Sequence, residues 1–254
     1  MKKREDYQFE VCANGVESCL AAQQAGADRV ELCAGIPEGG VTPSYGEIVV
    51  ARRLLQSTRL HVIIRPRGGD FLYTPLEIER MKEDIRLCRQ LGVDGVVFGC
   101  LTAEGDVDVA NNMQLLRHAE GMSVTFHRAF DCCRDPRRAL SQLAEMGFSR
   151  ILTSGQQPTA ERGIPLLAEL NQLAAGRISL MAGCGVNEKN VAAIEAATLI
   201  REFHFSARET MPSLMRYRNP SVYMGAEDAD EYSREVTTAA RVQSIIATFG
   251  FPSS

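Results

Sequence analysis

The feature that most constrains this chain is an alternation. From Gln8 onward, short apolar or β-branched runs are each followed by a helical pattern, with no break in composition. The strand-like runs are Phe9–Cys12, Arg29–Cys33, Leu60–Ile64, Gly95–Phe98, Ser123–His127, Arg150–Thr153, Ile178–Ala182 and Glu202–Phe205. Helix signals fall between them. Gly26 ends the first helix, Thr74, Pro75 and Glu77 form a capping box with proline in the first turn, and Asp135–Pro136 opens the fifth helix. Eight β-then-α units in 254 residues match the α/β class as a (β/α)8 TIM barrel, which takes about 250 residues. A doubly wound open sheet is the alternative. The barrel is preferred because polar residues recur at the end of nearly every strand, whereas an open sheet gathers them at one switch point. Without a linker, residues 1–254 read as one domain: a barrel over about 8–207, a segment Arg208–Asp228, and an extra C-terminal helix over about Glu231–Phe249.

Bulk properties exclude several function classes. Net charge is −4 with a pI near 5.7, and no Lys/Arg-rich run offers a footprint for nucleic acid. The start, MKKREDYQFEV, lacks the apolar stretch of a secretory signal, and no run is long enough to span a membrane. Eight irregularly spaced cysteines in a chain of this size point to reduced thiols in a cytoplasmic protein.

Strand three runs into LHVIIRPRGGDF, which places Arg65, Arg67 and Asp70 in a glycine-containing loop at the strand's carboxyl end. Ligands collect at that address in parallel α/β proteins, so the residues suggest a pocket for a small anion. The competing reading is an Arg–Asp pair bracing a tight loop. Strands one and two share a pattern, Glu10-Val11-Cys12 and Glu31-Leu32-Cys33. Because side chains alternate, two carboxylates and two thiols share one wall. A carboxylate in a barrel lumen needs a cation, and Arg65 is the nearest candidate. Strand five ends VTFHRAFD, putting His127, Arg128 and Asp131 where barrel enzymes keep acids and bases, with a nearby carboxylate tuning the histidine toward neutrality. After strands six to eight come Ser154, Gly183, Gly185 and Ser206, in small polar turns that offer backbone N–H groups to an anion. The four lysines avoid the strand ends, which disfavours Schiff-base chemistry. Met211, Met215 and Met224, with Arg216, Tyr217 and Arg218, read as a lid or a subunit contact. Cys12, Cys33 and Cys184 near strand ends leave soft-metal binding open beside simple packing.

The blocks VELCAGIPEGGVTPS, HVIIRPRGGDFLYT, VTFHRAFD, RILTSGQ, MAGCGV and DADEYSREV resemble the CutC family of copper homeostasis proteins, from about Gln8 to beyond Ser233. The resemblance implies a cytoplasmic barrel that self-associates as a dimer or higher homo-oligomer and binds Cu(I). Cys12 and Cys33, inside the matching blocks, are the positions it marks for copper. The rival reading is an enzyme acting on a small anionic or phosphorylated metabolite. Arg65, Arg67, Arg128, Ser154, Gly183, Gly185 and Ser206 would hold the anion, with Glu10, Glu31, Asp70, His127 and Asp131 moving protons. A variant places a divalent cation on Glu10, Glu31 and His127. A third reading is an interaction protein whose barrel mouth is vestigial.

Overall fold

A computed structural model describes residues 2–219, 221–222 and 230–251. Eight parallel strands close on themselves: β1 (Gln8–Ala13), β2 (Arg29–Leu32), β3 (Arg59–Ile63), β4 (Gly95–Phe98), β5 (Ser123–Phe126), β6 (Arg150–Thr153), β7 (Ser179–Gly183) and β8 (Glu202–Phe205). The closing pair sets Glu10 opposite His204 and Val11 opposite Phe205. The open sheet is thereby excluded.

Seven helices connect the strands: α1 (Val16–Gln24), α2 (Tyr45–Leu54), α3 (Pro75–Gln90), α4 (Val109–His118), α5 (Pro136–Met146), α6 (Ile164–Ala174) and α7 (Val191–Thr198). Their starts follow local chemistry. Ser44, Asp108 and Asp135 accept from backbone amides of the first turn, and Thr74 with Glu77 forms the reciprocal capping box.

Strand parity decides what lies on each side of the barrel wall. Phe9, Val11, Val30, Leu32, Leu60, Val62, Phe98, Phe126, Ile151 and Phe203 face the helices and join one apolar core. The alternate residues point into the lumen, and Glu10, Arg29, Glu31, His61, Thr125, Arg150 and His204 are all buried there. Gly95 is part of the same packing, because a Cβ there would sit 2.5 Å from the His61 ring.

The segment beyond β8 departs from expectation. Arg208–Pro212 (β9) and Ser233–Thr237 (β10) form an antiparallel pair, and only Ala239–Ala247 (α8) is helical. The helix expected from Glu231 starts eight residues later because Ser233–Thr237, which ends in the β-branched pair Val236-Thr237, is taken up as a strand against β9. Thr238 then caps α8 through its side chain. Leu214, Met215 and Tyr217 are exposed in the connection, while Met224 lies outside the described residues. Arg218 stacks on Tyr232, and Arg216 is exposed. No described helix is long and apolar enough to cross a membrane.

Candidate functional site

The lumen carries a connected chain of charge. Arg29, 1 % exposed, donates to Glu10 and, at 2.8 Å, to Glu202. Arg150 reaches the same Glu202 oxygen at 3.1 Å and also donates to Ser123 and Thr125. The other Glu10 oxygen meets His204 Nδ1 at 2.7 Å, and His204 Nε2 stands 3.7 Å from Glu31. Burial alone would raise the pKa of Glu10, but Arg29 and then His204 hold it well below the carboxylate range. For His204, burial opposes the charge, yet Cys12, Glu10 and Glu31 together lift its pKa well above the usual histidine value. These neighbours favour the imidazolium form of His204. Glu31 has the opposite fate: desolvation pushes it up to about 8, so it stays protonated at neutral pH, with Oε1 buried and without a hydrogen-bond partner among the described residues.

Above this chain lie the two thiols. Cys12 and Cys33 have their Sγ atoms 4.0 Å apart, and Cys33 Sγ is 3.5 Å from the Glu31 carboxyl. Arg208 donates to Cys12 Sγ at 3.3 Å. The contact with Cys33, followed by His204 and Arg208, holds the Cys12 pKa far below an ordinary thiol. The same contact, then burial, pushes Cys33 well above it, so the shared proton stays on Cys33. None of the eight cysteines is in a disulfide.

These groups open into a cavity of about 260 Å³ at the carboxyl ends of the strands, also lined by Ile63, Arg65, Phe71, His127, Arg128, Asp131, Cys132 and Leu152. Arg65 does not neutralise Glu10 or Glu31. It donates to the carbonyls of Glu38, Gly40 and Gly69, while Arg29 and His204 neutralise Glu10 and Glu31 carries its own proton. The sequence alone favoured Arg65 because strand three adjoins strand two; closure of β8 onto β1 supplies His204 from the other end of the chain.

Among the described residues His127 has no carboxylate partner either. It caps the 3-10 turn Arg128–Cys132 by accepting the Ala129 N–H at Nδ1, and burial, with Arg65 beside it, drives its pKa down to about 3. The histidine expected to titrate near neutrality is thus permanently neutral. Asp131 serves loop six instead. It accepts from the Thr153 hydroxyl at 2.6 Å, from the amides of Ser154 and Gln156 at 3.1 Å, and from Arg128 at 2.8 Å.

Arg67 and Asp70 pair with each other at 2.9 Å outside the cavity lining, and Arg67 also braces the capping glutamate Glu77. Gly183, whose Cβ would strike Leu152, ends β7, while left-handed Gly185 adjoins Thr159 and Ser206 accepts from Thr237 through its carbonyl. None of the three lines the cavity.

Two ligand sets lie close enough to share an ion among the described residues: Cys12, Glu31 and Cys33, and Glu10, Glu31 and His204, each within 4.8 Å. The divalent trio expected from sequence used His127; the structure brings His204 to that place. That trio is internally satisfied, because Glu10 is taken by Arg29 and a protonated His204 has no lone pair to give. The sulfur set fits Cu(I), with two soft donors, one of them held as thiolate.

The pattern that defines the CutC family matches residues 7–209. The chain belongs to the CutC family. A CutC family protein of Bacteroides thetaiotaomicron is 67% identical over 243 residues, covering 95% of this chain and 96% of that protein. The human copper homeostasis protein cutC homolog is 47% identical over 240 residues, covering 94% and 88% respectively. A solved CutC structure from Streptococcus agalactiae superposes with a TM-score of 0.76 at 35% identity, over 79% of this chain and 98% of that one. In this CutC barrel the residues missed from sequence are Arg29, Arg150, His204 and Arg208. The signal for His204 was present in Glu-Phe-His-Phe: Phe203 and Phe205 face the helices, which turns Glu202 and His204 inward.

Proposed function

We propose that this CutC-family barrel is a cytoplasmic copper homeostasis protein that binds Cu(I) between Cys12 and Cys33. The observation that carries this reading is the 4.0 Å separation of the two sulfurs at the cavity floor, with Arg208 and His204 favouring the thiolate of Cys12. Glu31 lies within reach as a third donor.

Competition against a chromogenic Cu(I) chelator under reducing conditions tests the reading. Changing an outer-shell partner costs metal affinity about 10- to 100-fold, and removing the two donors themselves exceeds that, so Cys12→Ser/Cys33→Ser weakens Cu(I) by more than about a hundredfold. Equal affinity in the double variant sinks the assignment. The pH dependence follows from Cys33, whose raised pKa means that copper must displace a proton; Cu(I) affinity rises with pH in the same competition.

Self-association belongs to the same reading, supported by Met211, Leu214, Met215 and Tyr217 exposed on and after β9. Light scattering is expected to give at least a dimer mass; a monomer at every concentration would exclude it.

A further inference from the structure

We propose that the cavity wall formed by Arg65, His127 and Phe71 binds a small organic carboxylate. The site lies beside the sulfur pair and uses none of its residues.

Arg65 is 5 % exposed, and its guanidinium donates only to three backbone carbonyls, Glu38, Gly40 and Gly69, each at 2.8 Å. Among the described residues no carboxylate pairs with it, and its Nε has no hydrogen-bond partner. Buried guanidinium groups are ordinarily matched by an anion, because an unpaired charge in a low-dielectric setting is costly. The carbonyls orient the group without cancelling its charge.

His127, 4 % exposed, supplies a directed donor. Since Nδ1 accepts the Ala129 N–H at 3.2 Å, the neutral ring carries its proton on Nε2. Nε2 is buried without a partner among the described residues, on a residue that lines the cavity. Burial and then Arg65 keep the ring neutral far below physiological pH, so the donor is always present.

Shape and chemistry narrow the class. Phe71 packs beneath the Arg65 guanidinium, its ring centroid 5.1 Å from Arg65 Cζ and 4.9 Å from the centroid of the His127 ring; Ile63 and Leu152 complete an apolar wall. About 260 Å³ admits an acid of a few carbons. Phosphate is the poorer match, because the loop-six amides of Ser154 and Gln156 already donate to Asp131.

The test uses the full chain with copper removed by a Cu(I) chelator, so that failure here is separate from failure of the copper reading. Acetate, pyruvate and oxalate are titrated against inorganic phosphate by calorimetry. In parallel, the histidine ring signals are followed by long-range proton–nitrogen NMR, which four histidines leave resolvable. At least one carboxylate is expected to bind, to shift the His127 Nε2–H signal, and to bind more tightly than phosphate. His127→Asn keeps an Ncap acceptor for the Ala129 amide but lacks Nε2–H. It weakens binding about tenfold to a hundredfold, as expected for a hydrogen bond to a charged group. Arg137→Gln, which removes an exposed pair with Glu169, leaves binding unchanged. Absence of binding by all three acids, equal binding by His127→Asn, or phosphate binding at least as tight overturns the proposal.

Discussion

Replacing Arg29 with methionine is expected to lower the stability of the barrel by about 3–5 kcal/mol at neutral pH, the cost of stranding a buried charge. Among the described residues Arg29 is the single group hydrogen-bonded to both Glu10 and Glu202, and Glu10 is fully enclosed. In the variant, Glu10 keeps only His204, while Arg150 retains Glu202. The pH dependence has a definite sign. Because Arg29 and His204 hold the folded pKa of Glu10 below its unfolded value, this carboxylate contributes stability above the ordinary carboxylate pKa and loses it as pH falls through the folded value. Without Arg29, protonating Glu10 relieves the defect, so the difference between variant and wild type narrows on acidification. His204 acts oppositely: its raised pKa contributes stability at low pH that is lost as pH rises through the folded value. Urea unfolding of variant and wild type at about pH 7 and about pH 5 measures the narrowing of that difference. A loss that fails to shrink at the lower pH would show that Glu10 is not the stranded group. Glu10→Gln combined with Arg29→Met restores part of the stability, because the uncompensated charge has gone.

Asp131→Ala is expected to cost about 3 kcal/mol or more, since it leaves the Thr153 hydroxyl and the Ser154 and Gln156 amides without their acceptor at about 1–3 kcal/mol each. Thr153 and Ser154 are fully buried, so water reaches them poorly. Gln156 also sits at φ 56°, a left-handed conformation unfavourable for a side-chain-bearing residue and held here by the Asp131 contact. Asp131→Asn retains one oxygen and loses less. Chemical denaturation together with hydrogen exchange at the Ser154 and Gln156 amides gives the readout. Unchanged stability and protection in Asp131→Ala would mean that loop six is held by something else. A proton-transfer role read from sequence does not require this web of five donors; a loop anchor does.

The HVIIRPRGGDF stretch shows how far local reading reaches. Its strand and its arginine-bearing turn lie where the pattern put them, yet its charges divide. Arg65 turns into the cavity and Arg67 turns out to brace Asp70 and Glu77. Residues two apart on a strand share a face, but Pro66 and the glycine turn end the strand, so parity no longer applies past Ile63. The last helix was misplaced for a related reason, since Ser233–Thr237 becomes a strand only because β9 is there to pair with it.

Alternation along the chain determined the barrel, its inward and outward faces and the common wall of Glu10, Cys12, Glu31 and Cys33, because side-chain direction on a strand is set by local backbone geometry. The partners of those groups were decided by tertiary structure alone. His204 reaches Glu10 across 194 positions and Arg208 reaches Cys12 across 196, contacts that exist only once β8 closes on β1. Which carboxylate is ionised, which thiol loses its proton and which arginine is left without a counter-charge depend on that closure, since electrostatic pairing acts through space and has no signature in sequence separation.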